Sequence, residues 1–439
     1  MRIRAIRALQ VLDSRGSPTV EAEAVLENGA RAAAQVPSGA STGRHEAVEL
    51  RDGDARDFDG RGVLAAVANV NGPIARALCG MPIHERALAD RRMVELDGTP
   101  DKSRLGANAI LAVSCALARV HAKAEGVPLW LLLAGGRPAK IPLPMVNILS
   151  GGLHAGGQVE LQDFLAVPHG CGSFADAMRA ATGIHRRMRE LLERDGRAPA
   201  GVADEGGWGP RLDSNEQALE YMQRAIAAAG YEPGGQVSIA IDAAATHFFR
   251  NERYELASER RRLAREEMIE MYSRWLARHP VVSIEDPLAE DDWEGWTTAC
   301  AALGDRCALI GDDLLATSQP RLERAIRERA ANAVLVKMNQ AGTLAETFQV
   351  VDRAREAGFG AVVSARSGET EDSFLADLAV ASGAGHIKVG SVMRSERLAK
   401  YNRLLRIEAF QEEGAPLSLA PVLPLGHHGW QGGSCVNDD

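Results

Sequence analysis

Six ionisable side chains in the second half of the sequence each end a short apolar run. They are Asp242 after "VSIAI", Glu285 after "VVSI", Asp312 after "CALIG", Lys337 after "AVLV", Arg366 after "AVVSA" and Lys388 after "HI". Three carboxylates converging on one point bind a hard cation. Mg²⁺ suits such a site because it takes few protein oxygens and keeps positions for water and substrate, with Ca²⁺ and Mn²⁺ as alternatives. A lysine facing that cation can remove a proton α to a carboxylate if nearby cations depress its pKa, and Lys337 and Lys388 would do this for each other. The metal would stabilise the enediolate formed when the proton leaves. Arg366 and Ser367, in a glycine-containing turn, add an anion site of forked donors and backbone N–H groups. Ala365 beside them offers only a methyl group. Taken singly, each charged residue reads equally well as a solvated loop residue; six at the ends of successive runs form a pattern.

The lysines sharpen it. Lysine occurs only at 102, 123, 140, 337, 388 and 400, among 50 basic residues. Where a surface needs only a cation this chain uses arginine, so a lysine at a strand end points to a group that must be able to lose its proton.

The elements that position these residues follow from the same runs. From residue 281 onward, apolar runs followed by amphipathic helices recur at roughly 25 residues, the length of a strand-plus-helix unit of a parallel sheet or (β/α)₈ barrel. Runs without alternation fit strands buried on both faces. In a barrel the carboxyl ends of the strands share one rim, which brings the six residues together. Residues 1–60 instead alternate polar and apolar side chains between Gly, Asn-Gly and Pro signals, which predicts an antiparallel sheet. Helical sequence follows in 59–80 and 106–126, so the fold class expected is α/β, an eight-stranded barrel behind an α+β domain. The expected divisions are 1–140, 141–425 and a polar tail 426–439, with "GGRPAKIPLP" (135–144) as junction. "SGASTGRHE" (38–46) reads as a linker or as a mobile lid. "ERRRLAREE" (259–267) reads as a solvated helix face, and "HHGW" (427–430) as polar tail rather than metal site.

Composition narrows the function classes. At 439 residues, 46% hydrophobic and 25% charged, the chain is expected to be globular. A net charge of −9 disfavours non-specific nucleic-acid binding, no run approaches a membrane span, and no signal peptide is evident, so the expected location is the cytoplasm. Six cysteines show no C-x-x-C pair, which argues against zinc and a disulfide framework. "GGRPAK" lacks the spacing of a phosphate loop.

Read in order, "DSRGSPTVE", "PSGASTG", "GANAILAVS", "DEGGWGP", "SIEDPLAEDDW", "GDDL", "VKMNQ", "RSGETED" and "IKVGS" identify a resemblance to the enolase family over about residues 1–410. The resemblance implies a capping domain on a modified eight-stranded barrel, a homodimer, and dehydration of 2-phosphoglycerate to phosphoenolpyruvate with two Mg²⁺ ions. Position by position it implies Asp242, Glu285 and Asp312 on the first ion and Ser41 on the second. Lys337 would be the base and Glu205 the acid that assists departure of the hydroxyl. Lys388 would hold the substrate carboxylate, Arg366 and Ser367 the phosphate, and Gln162 and the lid residues Ser41 and His154 would complete the substrate contacts. The chain departs from the family where histidine precedes the Arg-Ser pair (Ala365), where glutamate follows the glutamine of "LQDF" (Asp163, in a catalytic position), and before His154 (Leu153). Glu to Asp retracts a carboxylate by about 1.5 Å. Three consequences are open: a weakened housekeeping enzyme, a binding paralogue, or a changed substrate. The last resembles enolase-like enzymes of phosphinate antibiotic pathways, which form carboxyphosphonoenolpyruvate.

Overall fold

The computed structural model describes residues 1–39, 43–156, 159–197, 199–410, 418–420 and 423. The N-terminal sheet consists of β1 (Ile3–Leu12), β2 (Pro18–Leu26) and β3 (Arg31–Gln35), antiparallel in that order. Its first turn closes on Asp13, whose Oδ1 accepts from the backbone N–H groups of Arg15 and Ser17, each at 2.8 Å, with Gly16 at φ +71°. Against β2 and β3 packs the helix Ala107–Glu125. Its alanine-rich sequence leaves little side chain to keep the backbones apart, and it is buried nearly all round.

The expected sheet over 1–60 ends at Gln35. Among the described residues of 36–60 there is no strand. The chain there is held by scattered bonds rather than a ladder, some to side chains: Glu49 accepts from Gly39 N and Glu46 from Gly43 N, each at 3.0 Å.

The second body is a closed barrel of eight strands. Around it run β4 (Leu143–Ser150), β5 (Asp163–Val167) and β6 (Ser238–Asp242), and after an excursion β10 (Val281–Glu285), β11 (Ala308–Gly311), β12 (Ala333–Val336), β13 (Gly360–Ser364) and β14 (His386–Gly390), which returns to β4. The excursion is a small antiparallel sheet of β7 (Phe249–Arg250), β8 (Arg253–Leu256) and β9 (Arg261–Leu263). It corrects the reading of 259–267 as helix: Arg262 pairs across the strands with Glu255 at 2.7 Å while Leu263 is buried, and the helix starts only at Arg265. The barrel also departs from an all-parallel pattern, because β5 runs antiparallel to both β4 and β6.

Inside the barrel a separate apolar cluster includes Met145, Leu165, Ala240, Ile310, Leu335 and Val362. Leu419 and Leu423 join it from the segment after the last helix, and Leu423 lies so close that a Cβ on Gly360 would meet it at 2.6 Å.

Candidate active site

Side chains of a strand alternate with period two, so the residue two places beyond an inward apolar side chain again faces inward. Ala240 is followed in this way by Asp242, Ile310 by Asp312, Leu335 by Lys337 and Val362 by Ser364. On the reversed β5 the order inverts, and Asp163 precedes Leu165. One end of the barrel therefore carries polar groups on an apolar floor. A pocket there is lined by Asp163, Glu205, Asp242, Asp312, Lys337 and Lys388, together with Gln162, Ala365, Arg366 and Ser367.

Two ammonium groups organise the acids. Lys388 Nζ donates to Asp242 Oδ2 at 2.7 Å and to both oxygens of Glu285 at 2.8 and 2.7 Å. Lys337 Nζ pairs with Asp312 Oδ2, whose Oδ1 accepts from Gln340 Nε2 at 3.0 Å. Gln162 Nε2 donates to Asp242 at 3.1 Å. Burial works to raise Asp242 and Asp312, but Lys388 and Lys337 respectively hold both below the usual carboxylate range. Glu285 goes the other way: burial and the Asp242 charge push it well up. Three acids face two lysines, and Glu285 is where the surplus negative charge is felt. Asp286 and Asp313 add to it. Burial and Asp312 raise Asp313 to about 7, and three carboxylate oxygens, one each from Asp286, Asp312 and Asp313, lie within 4.8 Å of one another. Asp286 has a structural task as well, accepting from Asp312 N at 3.1 Å and Asp313 N at 2.8 Å.

This donor set fits a hard cation. Asp242 and Glu285 already converge within 2.8 Å of one cationic atom, all the donors are oxygens, and the acids outnumber the lysines. The expectation that cations depress Lys337 holds in direction for Arg366 and Lys388 but not in outcome. Burial works to lower it, but its nearest charged group is Asp312, which holds it above its ordinary value. Lys337 is therefore protonated while it is paired with Asp312.

Asp163, fully buried, is anchored at Oδ1 by Asn147 Nδ2 and by Ser150 Oγ at 3.0 Å. Glu205 is buried in the loop after the helix Phe174–Arg194. That loop is fixed at the glutamate and at the residue after it: Ser391 N donates to Glu205 O at 2.8 Å, and the His185 ring, stacked on Trp208, bonds to Gly206 O at 3.1 Å. The backbone of His154 lies in the short turn Gly152–Ala155. Ser41 and the "HHGW" segment lie outside the described residues.

The anion turn is the most heavily braced part of the pocket. Arg366 Nη1 pairs with Glu46 at 2.7 Å, linking it to the 43–49 loop of the N-terminal body. Arg397, fully buried, donates to the carbonyls of Arg366 and Ser367 at 2.6 Å each and of Val389 at 3.0 Å. Ala365 lines the pocket with its methyl group, and its N–H donates to Lys388 O at 2.8 Å.

Sequence reasoning missed several of these groups. Glu46, His247, Asn147, Ser150 and Arg397 reach the pocket or brace it. The only signal for Arg397 was its place in the "RSER" stretch, and for His247 its position five residues past Asp242.

Comparison with known proteins matches this arrangement along both bodies. A family model described as enolase, N-terminal domain, matches residues 3–133, and one described as enolase, C-terminal TIM barrel domain, matches residues 138–418. Among curated relatives, Enolase 1 of Methylococcus capsulatus is 50% identical over 409 residues, covering 93% of this chain and 97% of that protein. Enolase 2 of Pseudomonas syringae pv. syringae is 51% identical over 408 residues, and its counterpart in P. syringae pv. tomato is 50% identical over the same length, each covering 93% of this chain and 95% of the relative. The rim of acids and lysines thus sits in a chain that belongs to the enolase family of magnesium-dependent carbon–oxygen lyases.

Proposed function

We propose that the chain removes water from 2-phosphoglycerate, or a close analogue, to give a phosphoenolpyruvate-type product. The observation that supports this best is that Lys337 and Glu205 line one pocket with the acid cluster. A β-elimination needs a base for the proton at C2 and an acid for the hydroxyl leaving C3. Once Asp312 no longer holds it, the Lys337 ammonium must give up a proton to water, and the neutral Nζ then takes the proton from C2, while Glu205 in its protonated form gives a proton to the departing hydroxyl. Asp163, fixed by Asn147 and Ser150, borders that hydroxyl with Gln162. Lys388 receives the substrate carboxylate. Arg366 and Ser367, with the lid residues His154 and Ser41, receive the phosphate and shut out water. Asp242, Glu285 and Asp312 are the residues that would hold Mg²⁺, with Ser41 on a second ion; bound there, the metal supplies charge stabilisation to the developing enediolate. The expected assembly is a homodimer in the cytoplasm.

A second reading rests on Ala365. A methyl group stands beside Arg366 where the family carries an imidazole, which leaves room for an additional substituent on phosphorus, and an anionic one would meet Arg366. On this reading the substrate is a carboxyphosphono analogue of the kind used in phosphinate antibiotic synthesis. Steady-state dehydration of 2-phosphoglycerate with Mg²⁺, for wild type and Asp163→Glu/Ala365→His, separates the two. Ordinary turnover that the double variant does not improve supports 2-phosphoglycerate as substrate. Near-inert wild type rescued by the double variant supports the analogue. If neither protein turns over while both bind Mg²⁺, 2-phosphoglycerate is refuted as the substrate.

A further inference from the structure

The motif Asp13–Ser14–Arg15–Gly16 has no part in the reaction described above, yet it is clamped onto the anion turn. Ser14 N donates to Glu369 O at 2.7 Å, and Ser38 and Gly368 exchange N–H···O bonds of 2.8 and 3.0 Å. A Cβ on Gly368 would meet Asp13 Oδ2 at 2.4 Å and Arg15 Nη2 at 2.7 Å, so any larger residue there would displace these two side chains from the turn. The Arg15 guanidinium, mostly buried, reaches Ser367 Oγ at 3.3 Å through Nη1 and Ser38 Oγ at 3.2 Å through Nη2. Asp13 stands behind it at 3.6 Å. Its Nε is buried without an acceptor among the described residues, so the side chain is held there by more than its own best hydrogen bonding.

A guanidinium has donors and no acceptor. In its contact with Arg15, Ser367 Oγ is therefore the acceptor, and its own proton must go to another group. We propose that Arg15 is a positioning residue of the anion site: through its contact with Ser367 Oγ it fixes the Ser367 hydroxyl as a donor toward the phosphoryl group. The inference rests on the assignment of Arg366 and Ser367 to the substrate's phosphate. It makes the site composite, since the residue that polarises Ser367 comes from the N-terminal body.

The test is a double-mutant cycle on binding of inorganic phosphate, read by calorimetry, with Arg15→Met, Ser367→Ala and the pair. Each single change is expected to weaken phosphate binding about tenfold, the range of one hydrogen bond to a charged group. Because Arg15 acts through Ser367, the pair should be no more than about twofold worse than Ser367→Ala alone. With 2-phosphoglycerate, KM should rise about tenfold for Arg15→Met while kcat stays within about threefold. Losses that multiply in the pair, or wild-type phosphate affinity in Arg15→Met, would overturn the proposal. If Arg15→Met does not fold, Arg15→Lys takes its place. It keeps the charge without the fork, and should weaken phosphate binding about threefold only when Ser367 is present; an equal loss in the Ser367→Ala background overturns the idea. Phosphate binding requires no turnover, so a chain that binds phosphate through Arg15 but does not dehydrate 2-phosphoglycerate rejects the substrate assignment and leaves the role of Arg15 standing.

Discussion

His386 opens β14 two residues before Lys388, fully buried, and neither ring nitrogen has a hydrogen-bond partner among the described residues. Burial, and then the neighbouring His169, depress its pKa to about 3. The unfolded chain has the ordinary value of about 6.5. Between these pH values the unfolded state binds the extra proton, so stability rises with pH. The contribution is complete above the unfolded value and is lost as the pH falls from there toward the folded one. Linkage puts the loss at about 2 kcal/mol near pH 5 and about 5 kcal/mol once the pH is below both values. His386→Leu keeps an apolar volume and removes the titration. Urea unfolding of wild type and variant at pH 7.5 and 5 is the assay. The difference between the two proteins cancels every other acid-labile group they share. We expect the variant to be at least as stable as wild type at pH 7.5, and to gain about 2 kcal/mol on it at pH 5. Parallel stability–pH curves would show that His386 is solvated or paired in solution and would refute the argument.

Three further outcomes test the site. Lys337→Met should lower kcat by about 10²–10⁴-fold while the protein stays folded, measured in the dehydration assay beside thermal unfolding. A Cβ on Gly207 would sit 2.6 Å from both Asn147 Oδ1 and Ser150 Oγ, so Gly207→Ala should displace the two anchors of Asp163 and reduce kcat at least about tenfold; unaltered kinetics would show that those anchors are dispensable. Arg397→Leu strands three buried carbonyls at the anion turn and should destabilise the fold by about 3–5 kcal/mol, with phosphate affinity falling as well, by denaturation and calorimetry.

The barrel strands that lead into Asp242, Glu285, Asp312 and Lys337 were legible because each is a mostly apolar run with its charged residue at or just past the carboxyl end, whereas Lys388 lies in the middle of β14. β4 and β5 were not legible. β4 contains Pro144 and ends in polar sequence, and β5 is reversed, so its rim residue Asp163 stands at its beginning, where a rule about carboxyl ends does not look. Asp163 was found only through the family motif. The protonation of Lys337 was misjudged for a different reason: spacing shows which charges share a rim but not which of them touch, and Asp312 is closer to Lys337 than the cations are. Contacts between the two bodies were out of reach altogether. Arg15 and Ser367 are 352 positions apart, and nothing in either stretch announces the other. The run at 259–267 failed because its arginines mask the alternation of a short hairpin strand.

Leu419 and Leu423 rest in the barrel's apolar interior, and Ile141 exchanges backbone hydrogen bonds with Ser418 and Ala420 at 3.1 and 2.9 Å. The segment that seals the floor is therefore made after every strand of the wall. During synthesis the eight strands can be complete while the lumen still stands open at the end opposite the pocket. A nascent chain paused just after the helix Ser395–Ala409 would expose leucine, methionine and valine side chains that the finished protein hides. The chain order thus leaves an interval in which this apolar interior lacks Leu419 and Leu423, and a chaperone would have that surface to hold.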